Sequence, residues 1–249
     1  MKQSIKLGAA LLASAVLTAC GGSSTSTGVE QPVTPPETQQ DAQFEVRITN
    51  LTNAQPMSPV AIMLHRSGFN SFIDGEESSL ALESLAEGGS NADILSEAEA
   101  ATQHVAVAST ESPVPPATIS PVVTLTAPVE DLSDLRLSVI SMLVHTNDAF
   151  TGTNASNISD MAVGSSRTIT GSTWDSGTEA NSETAATIPG PDFSGEGFNA
   201  ERDDIINRVR FHQSVVTSAS DVFGLASSAL EERHRFLNPT SRIVITRVQ

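Results

Sequence analysis

From Gln43 onward, apolar residues recur at every second position in short runs, and this period of two is what most narrows the folds open to the chain. Phe44, Val46 and Ile48 alternate with Glu45, Arg47 and Thr49, the pattern of a strand with one face in a core and one in water. Residues 104–109 and 122–127 alternate in the same way, and 60–64 form a short apolar run that reads as a fully buried strand. Residues 135–144 predict a longer strand, preceded by an acidic turn at Glu130-Asp131. Residues 167–173, 209–216 and 242–248 complete the set. One segment breaks the pattern. Leu80, Leu82, Leu85 and Ala86 suit a short helix over 79–88, stopped by Gly88-Gly89. Many short strands separated by Gly, Pro, Asn, Asp and Ser, with one or two short helices, predict an all-β antiparallel sandwich. Two segments, 146–165 and 175–203, carry no clear period and read as long loops, which in a compact domain are usually functional or mobile.

The N-terminus reads as an address. Lys2 and Lys6 precede a small-residue apolar run from Leu7 to Leu17. That run is too short to span a bilayer, which takes roughly 20 apolar residues, and it reads as a secretory signal. Leu17-Thr18-Ala19-Cys20 then resembles a bacterial lipobox, with the one cysteine of the chain at the position such a motif acylates. Residues 1–19 are therefore expected to be removed and Cys20 to carry the lipid. Acyl chains anchor at about 0.8 kcal/mol per buried methylene, so several hold far better than one. Gly21 in place of Asp favours, by resemblance to the usual sorting rule, the outer membrane or cell surface. Residues 20–42 are rich in Ser, Thr, Pro and Gln and read as a flexible tether, leaving 43–249 as the domain.

Charge excludes some partners. Loss of Lys2 and Lys6 takes the 13 basic residues to 11, all Arg, against 29 acids, and the net charge from −16 to −18. A nucleic-acid-binding surface needs Lys and Arg to displace counterions from phosphates, and this chain has none to spare. Beyond Cys20 there is no cysteine, so disulfides, thiolate zinc sites and a thiol nucleophile are ruled out.

Several segments resemble, in order, the spondin N-terminal domain in its bacterial form. They are Phe44 to Thr52 followed by Gln55-Pro56-Met57-Ser58-Pro59, then Gly75 to Gly88 ending in Leu85-Ala86-Glu87-Gly88. Ser138 to Gly152, Asp175-Ser176-Gly177-Thr178-Glu179, Ile188-Pro189-Gly190-Pro191 and His234 to Pro239 follow. The resemblance covers about residues 43 to 248. It implies a C2-like antiparallel sandwich that binds calcium in loops at one end, and a role in adhesion, matrix or ligand binding rather than catalysis. Carried over position by position, the calcium ligands are Asp148, Asp175 and Glu179. The aromatic that normally follows the first Asp is Ala149 here, and the second residue of the Gly-Thr motif is Ser176.

Taken alone, Asn147-Asp148 is ordinary turn chemistry, and Asp175 and Glu179 sit in what reads as a solvated acidic loop. If the strands before Asp148 and Asp175 are antiparallel neighbours, the two sites lie at opposite edges, and the 146–165 loop must return across the sandwich to join them. Gly177 gives the backbone the freedom to turn Asp175 and Glu179 toward one ion. His145 reads as a strand-end histidine bonded to backbone, and Trp174 as a core residue behind Asp175. No Gly-x-Ser-x-Gly, His-Glu-x-x-His or phosphate loop occurs. The alternative function is an envelope hydrolase, a glycosidase or esterase using loop carboxylates such as Asp175 and Glu179. The partner class, protein or glycan, stays open at this stage.

Overall fold

The computed structural model describes residues 40–201, 206–219 and 222–249. The signal reading of 1–19, the lipidation of Cys20 and most of the tether lie outside the described residues.

Among the described residues, nine strands form the expected antiparallel sandwich: β1 Ala42–Asn50, β2 Ala61–Arg66, β3 His104–Ser109, β4 Val123–Ala127, β5 Leu135–Met142, β6 Ala149–Asn157, β7 Ser166–Asp175, β8 Arg210–Phe211 and β9 Ser241–Arg247. Their order is β3-β2-β5-β6-β7-β9-β1-β4, with β8 on the outer end of β7. β4, β1 and β9 make a first sheet, β3, β2, β5, β6 and β8 a second, and β7 belongs to both. Ser166 to Gly171 pair with β9, whereas Ser172 to Asp175 pair with β6. The chain bends where the two pairings meet, and glycine is required there. A Cβ on Gly171 would lie 2.0 Å from Ser241 Oγ, and one on Gly152 would lie 1.8 Å from the Val139 carbonyl oxygen.

The core has two parts. Between the sheets lie Phe44, Val46 and Ile48 of β1, Ile62 and Leu64 of β2, Leu137 and Val139 of β5, and Ile243 and Ile245 of β9. On the outer face of the second sheet, Ala61, Met63, Ile140 and Phe150 pack against Leu82, Leu85 and Ala86 of helix α1 (Leu80–Gly88) and Ile94 and Ala98 of α2 (Ala92–Ala100). This explains the unbroken apolar run of β2: its two faces are buried in different layers. α1 starts at Ser79, whose side chain accepts from the Leu82 N–H, and ends at Gly89 in the left-handed region, φ 71°. No helix among the described residues is long and apolar enough to cross a membrane.

Three expectations are corrected. Within 146–165, Ala149–Asn157 form strand β6, which its polar sequence TGTNASN hides because only its first half is buried. Residues 209–216 form only the two-residue β8, since the chain leaves the sheet at His212. Helix α2 was not anticipated, because only Ile94 and Ala98 of its nine residues are buried and its apolar signal is faint.

Strand registers place Asn50, Met142, Ala149, Asp175 and Ser241 toward one end of the sandwich. Ala42, where the chain enters, pairs with Ala127 toward the other end.

Candidate functional site

Strand β6 settles how the carboxylates meet. It runs between β5 and β7, so β5 and β7 are parallel and end together. The register then sets Ala149 opposite Asp175, which makes Asp148 and Asp175 neighbours with no crossover needed.

Asp148 is fully buried. Its Oδ2 accepts from the Ser176 hydroxyl at 2.9 Å, the Thr178 N–H at 3.0 Å and the Glu179 N–H at 3.2 Å. Its own carbonyl accepts from the Ser176 N–H at 3.2 Å. The turn 175–179 is thus wrapped around one carboxylate oxygen. The other, Oδ1, is buried with no hydrogen-bond partner. An enclosed carboxylate oxygen with no donor is costly to keep ionised. Burial, and next the charge of Asp175, push Asp148 up to about 7, against the pull of the three donors.

Asp175 is also buried, but its oxygens are taken. Oδ1 accepts from the Gly177 N–H at 2.9 Å, and Oδ2 accepts from Asn181 Nδ2 at 2.7 Å and Arg210 Nη2 at 3.1 Å. Asn181 Oδ1 in turn lies 3.3 Å from His212 Nε2, and His212 Nδ1 accepts from the Ser214 N–H at 3.0 Å. Glu179 is buried in the same turn and joins Asp148 through its backbone N–H. Gly177 is at φ 77°, and a Cβ there would lie 2.5 Å from Arg208 N, so both conformation and space demand glycine.

The structure therefore brings Asp148 and Asp175 side by side and ties Glu179 to them through the backbone. Among the described residues, no three His, Cys, Asp or Glu side chains form a metal-ligating group. Asp148 fits a cation best, because its Oδ1 lacks a partner. At Asp175 an ion competes with Arg210. Calcium accepts carbonyl and water oxygens as readily as carboxylates, so it does not require three acids.

Sequence reasoning missed Asn147, Asn181, Arg210 and His212. Asn147 holds the loop, its Oδ1 accepting from the Glu183 N–H at 3.0 Å. Asn181 follows Asp175 at close range and was within reach of the same loop reading. Arg210 and His212 come from beyond a thirty-residue excursion, and no spacing signals them. His145 is bonded to backbone as expected, its Nδ1 3.1 Å from the Ala54 carbonyl. Trp174 stacks on Phe211, with centroids 4.2 Å apart, and tilts against Phe72. Ala149 is itself buried, and Phe150 beside it provides the packing anchor.

Among the described residues, one serine side chain meets a histidine ring. His65 Nε2 lies 2.9 Å from Ser138 Oγ, but Ser138 is fully buried and its oxygen also accepts from the Ala155 N–H. The pair stitches β2 to β5 inside the sheet and has no access for a substrate.

Comparison with family models gives no match, and comparison with curated proteins gives none either. The class defined by the fold is an all-β antiparallel sandwich with a carboxylate corner at one end.

Proposed function

We propose that the chain is a cell-envelope lipoprotein, anchored through Cys20, that displays a calcium-binding β-sandwich of spondin type for adhesion, matrix or ligand binding. The observation that carries this reading is Asp148: one oxygen organises the 175–179 turn, and the other is buried beside a second acid without a donor. A divalent cation supplies the missing positive charge at that oxygen. Asp148, Asp175 and Glu179 are the side chains that hold it, with Arg210 yielding Asp175. Calcium is preferred over magnesium, which keeps its waters and demands tight octahedral geometry.

The layout supports display. The chain enters β1 at the end of the sandwich away from the carboxylate corner, so the tether does not join the domain beside that corner. On this reading the protein is not an enzyme and binds no nucleic acid. The test is thermal unfolding of the purified protein in chelator and in calcium. Calcium should raise the midpoint and magnesium should do less. A curve indifferent to calcium defeats the cation assignment.

A further inference from the structure

A cleft of about 520 Å³ opens at the same end of the sandwich, apart from the carboxylate corner. Its wall is built around two histidines. Fully buried Gln55 clamps both backbones: its Oε1 accepts from the His145 N–H at 3.0 Å, and its Nε2 donates to the carbonyls of His145, at 3.0 Å, and His234, at 2.9 Å. The rings meet edge to face, with centroids 5.1 Å apart, and Phe193 packs on His145 in the same manner at 5.2 Å.

The clamps decide which ring nitrogens face the cleft. Ala54's carbonyl can only accept, so His145 Nδ1 donates to it and the neutral ring carries a bare Nε2. That nitrogen belongs to a side chain only 6% exposed and faces Asp192 Oδ2 at 3.1 Å, so the two form an ion pair whenever the ring takes a second proton. His234 is the reverse: its Nδ1 accepts from the Glu231 N–H at 2.9 Å, which leaves Nε2 as the donor. Asp192 and Glu231, 67% and 68% exposed, add acceptors at the rim, and Arg233, whose Nε pairs with Glu231 Oε2 at 3.1 Å, adds its remaining donors.

We propose that this cleft binds a neutral carbohydrate. Each sugar hydroxyl donates one hydrogen bond and accepts others, which matches acceptors and donors interleaved on one wall. The Phe193 and imidazole rings offer apolar surface for the C–H face of a sugar. The volume suits one or two sugar rings. An alkylammonium ligand meets Arg233 in the same cleft, and an anion meets Asp192 and Glu231. This names the partner of the binding-module reading, and the site shares no side chain with the cation corner.

The test is saturation-transfer NMR on the full chain, held in a detergent without a sugar head group, against a panel of neutral mono- and disaccharides. Transfer to ring protons of at least one sugar is expected. Asp192→Asn and Glu231→Gln are near-isosteric changes at exposed positions, checked for fold by circular dichroism, and each should weaken that sugar at least about fivefold. Binding should persist in chelator, so a failed calcium test and a failed sugar test remain distinct results. Absence of transfer from every sugar overturns the proposal. Transfer that survives both substitutions also overturns it, as does binding of choline or lysine in place of sugars.

Discussion

Asp148→Asn separates the two states of the carboxylate corner. In chelator, folded Asp148 stays protonated up to about 7, whereas in the unfolded chain it ionises near 3.8. Over that window the native state holds one more proton than the unfolded state, so stability falls as pH rises, by about 1.4 kcal/mol per unit. Between pH 5 and pH 7 the loss is about 2 kcal/mol, because the slope fades as the folded group itself begins to ionise. The asparagine variant has no proton to lose. Its carbonyl oxygen can take the donors from Ser176, Thr178 and Glu179, and its amide occupies the space of Oδ1. The measurement is urea unfolding of both proteins at a series of pH values in chelator, with free energies from linear extrapolation. Every other titrating group is common to the two, so their difference isolates Asp148. Wild type should lose about 2 kcal/mol relative to the variant from pH 5 to pH 7. Saturating calcium at pH 7 should reverse the order, since only wild type offers the ion a carboxylate; a hundredfold excess over Kd contributes about 2.7 kcal/mol. Parallel curves in chelator refute the raised Asp148. Equal calcium shifts in both proteins place the ion elsewhere.

Arg210→Gln removes the guanidinium from Asp175 and should tighten calcium binding about threefold to tenfold, measured by isothermal titration calorimetry; weaker binding would show that Arg210 organises the site rather than competing for it. Gly152→Ala drives a methyl into the Val139 carbonyl and should cost about 3 kcal/mol of unfolding free energy in urea, while a neutral result would mean that β5 and β6 separate at that point at little cost. His65 is held neutral by burial, so its folded pKa lies below the ordinary 6.5. Its contribution to stability is complete above pH 6.5 and is lost as pH falls through the folded value, and a ring titration by NMR with a midpoint at or above 6.5 contradicts this. Cys20→Ser should abolish fatty-acid labelling and release the protein to the soluble envelope fraction, whereas unchanged membrane association counts against the lipid anchor.

Where a side chain's environment is local, residue order alone was enough. The alternation at Phe44, Val46 and Ile48 located β1 because a strand's two faces repeat every second residue whatever it packs against. Ser79 and Gly89 bounded α1 because capping is satisfied within a few residues of the helix end. Gly177 was recognisable as a turn residue for the same reason. The resemblance of six short segments named Asp148, Asp175 and Glu179, and the backbone does carry all three into one corner.

What only the tertiary structure decided came from contacts distant in sequence. β6 is half polar because its second half lies at the rim, so period-two reading took it for a loop, and the adjacency of Asp148 to Asp175 was lost with it. Asp148's bare oxygen and Asp175's grip on Arg210 depend on which donors a folded turn delivers, and Arg210 arrives from thirty-five residues downstream. The paired histidines of the cleft stand eighty-nine residues apart, and their orientation is set by Gln55, a further ninety residues before His145. Periodicity encodes which face of an element is buried. Hydrogen-bond direction at a site depends on the neighbours that folding supplies, and no local pattern carries that information.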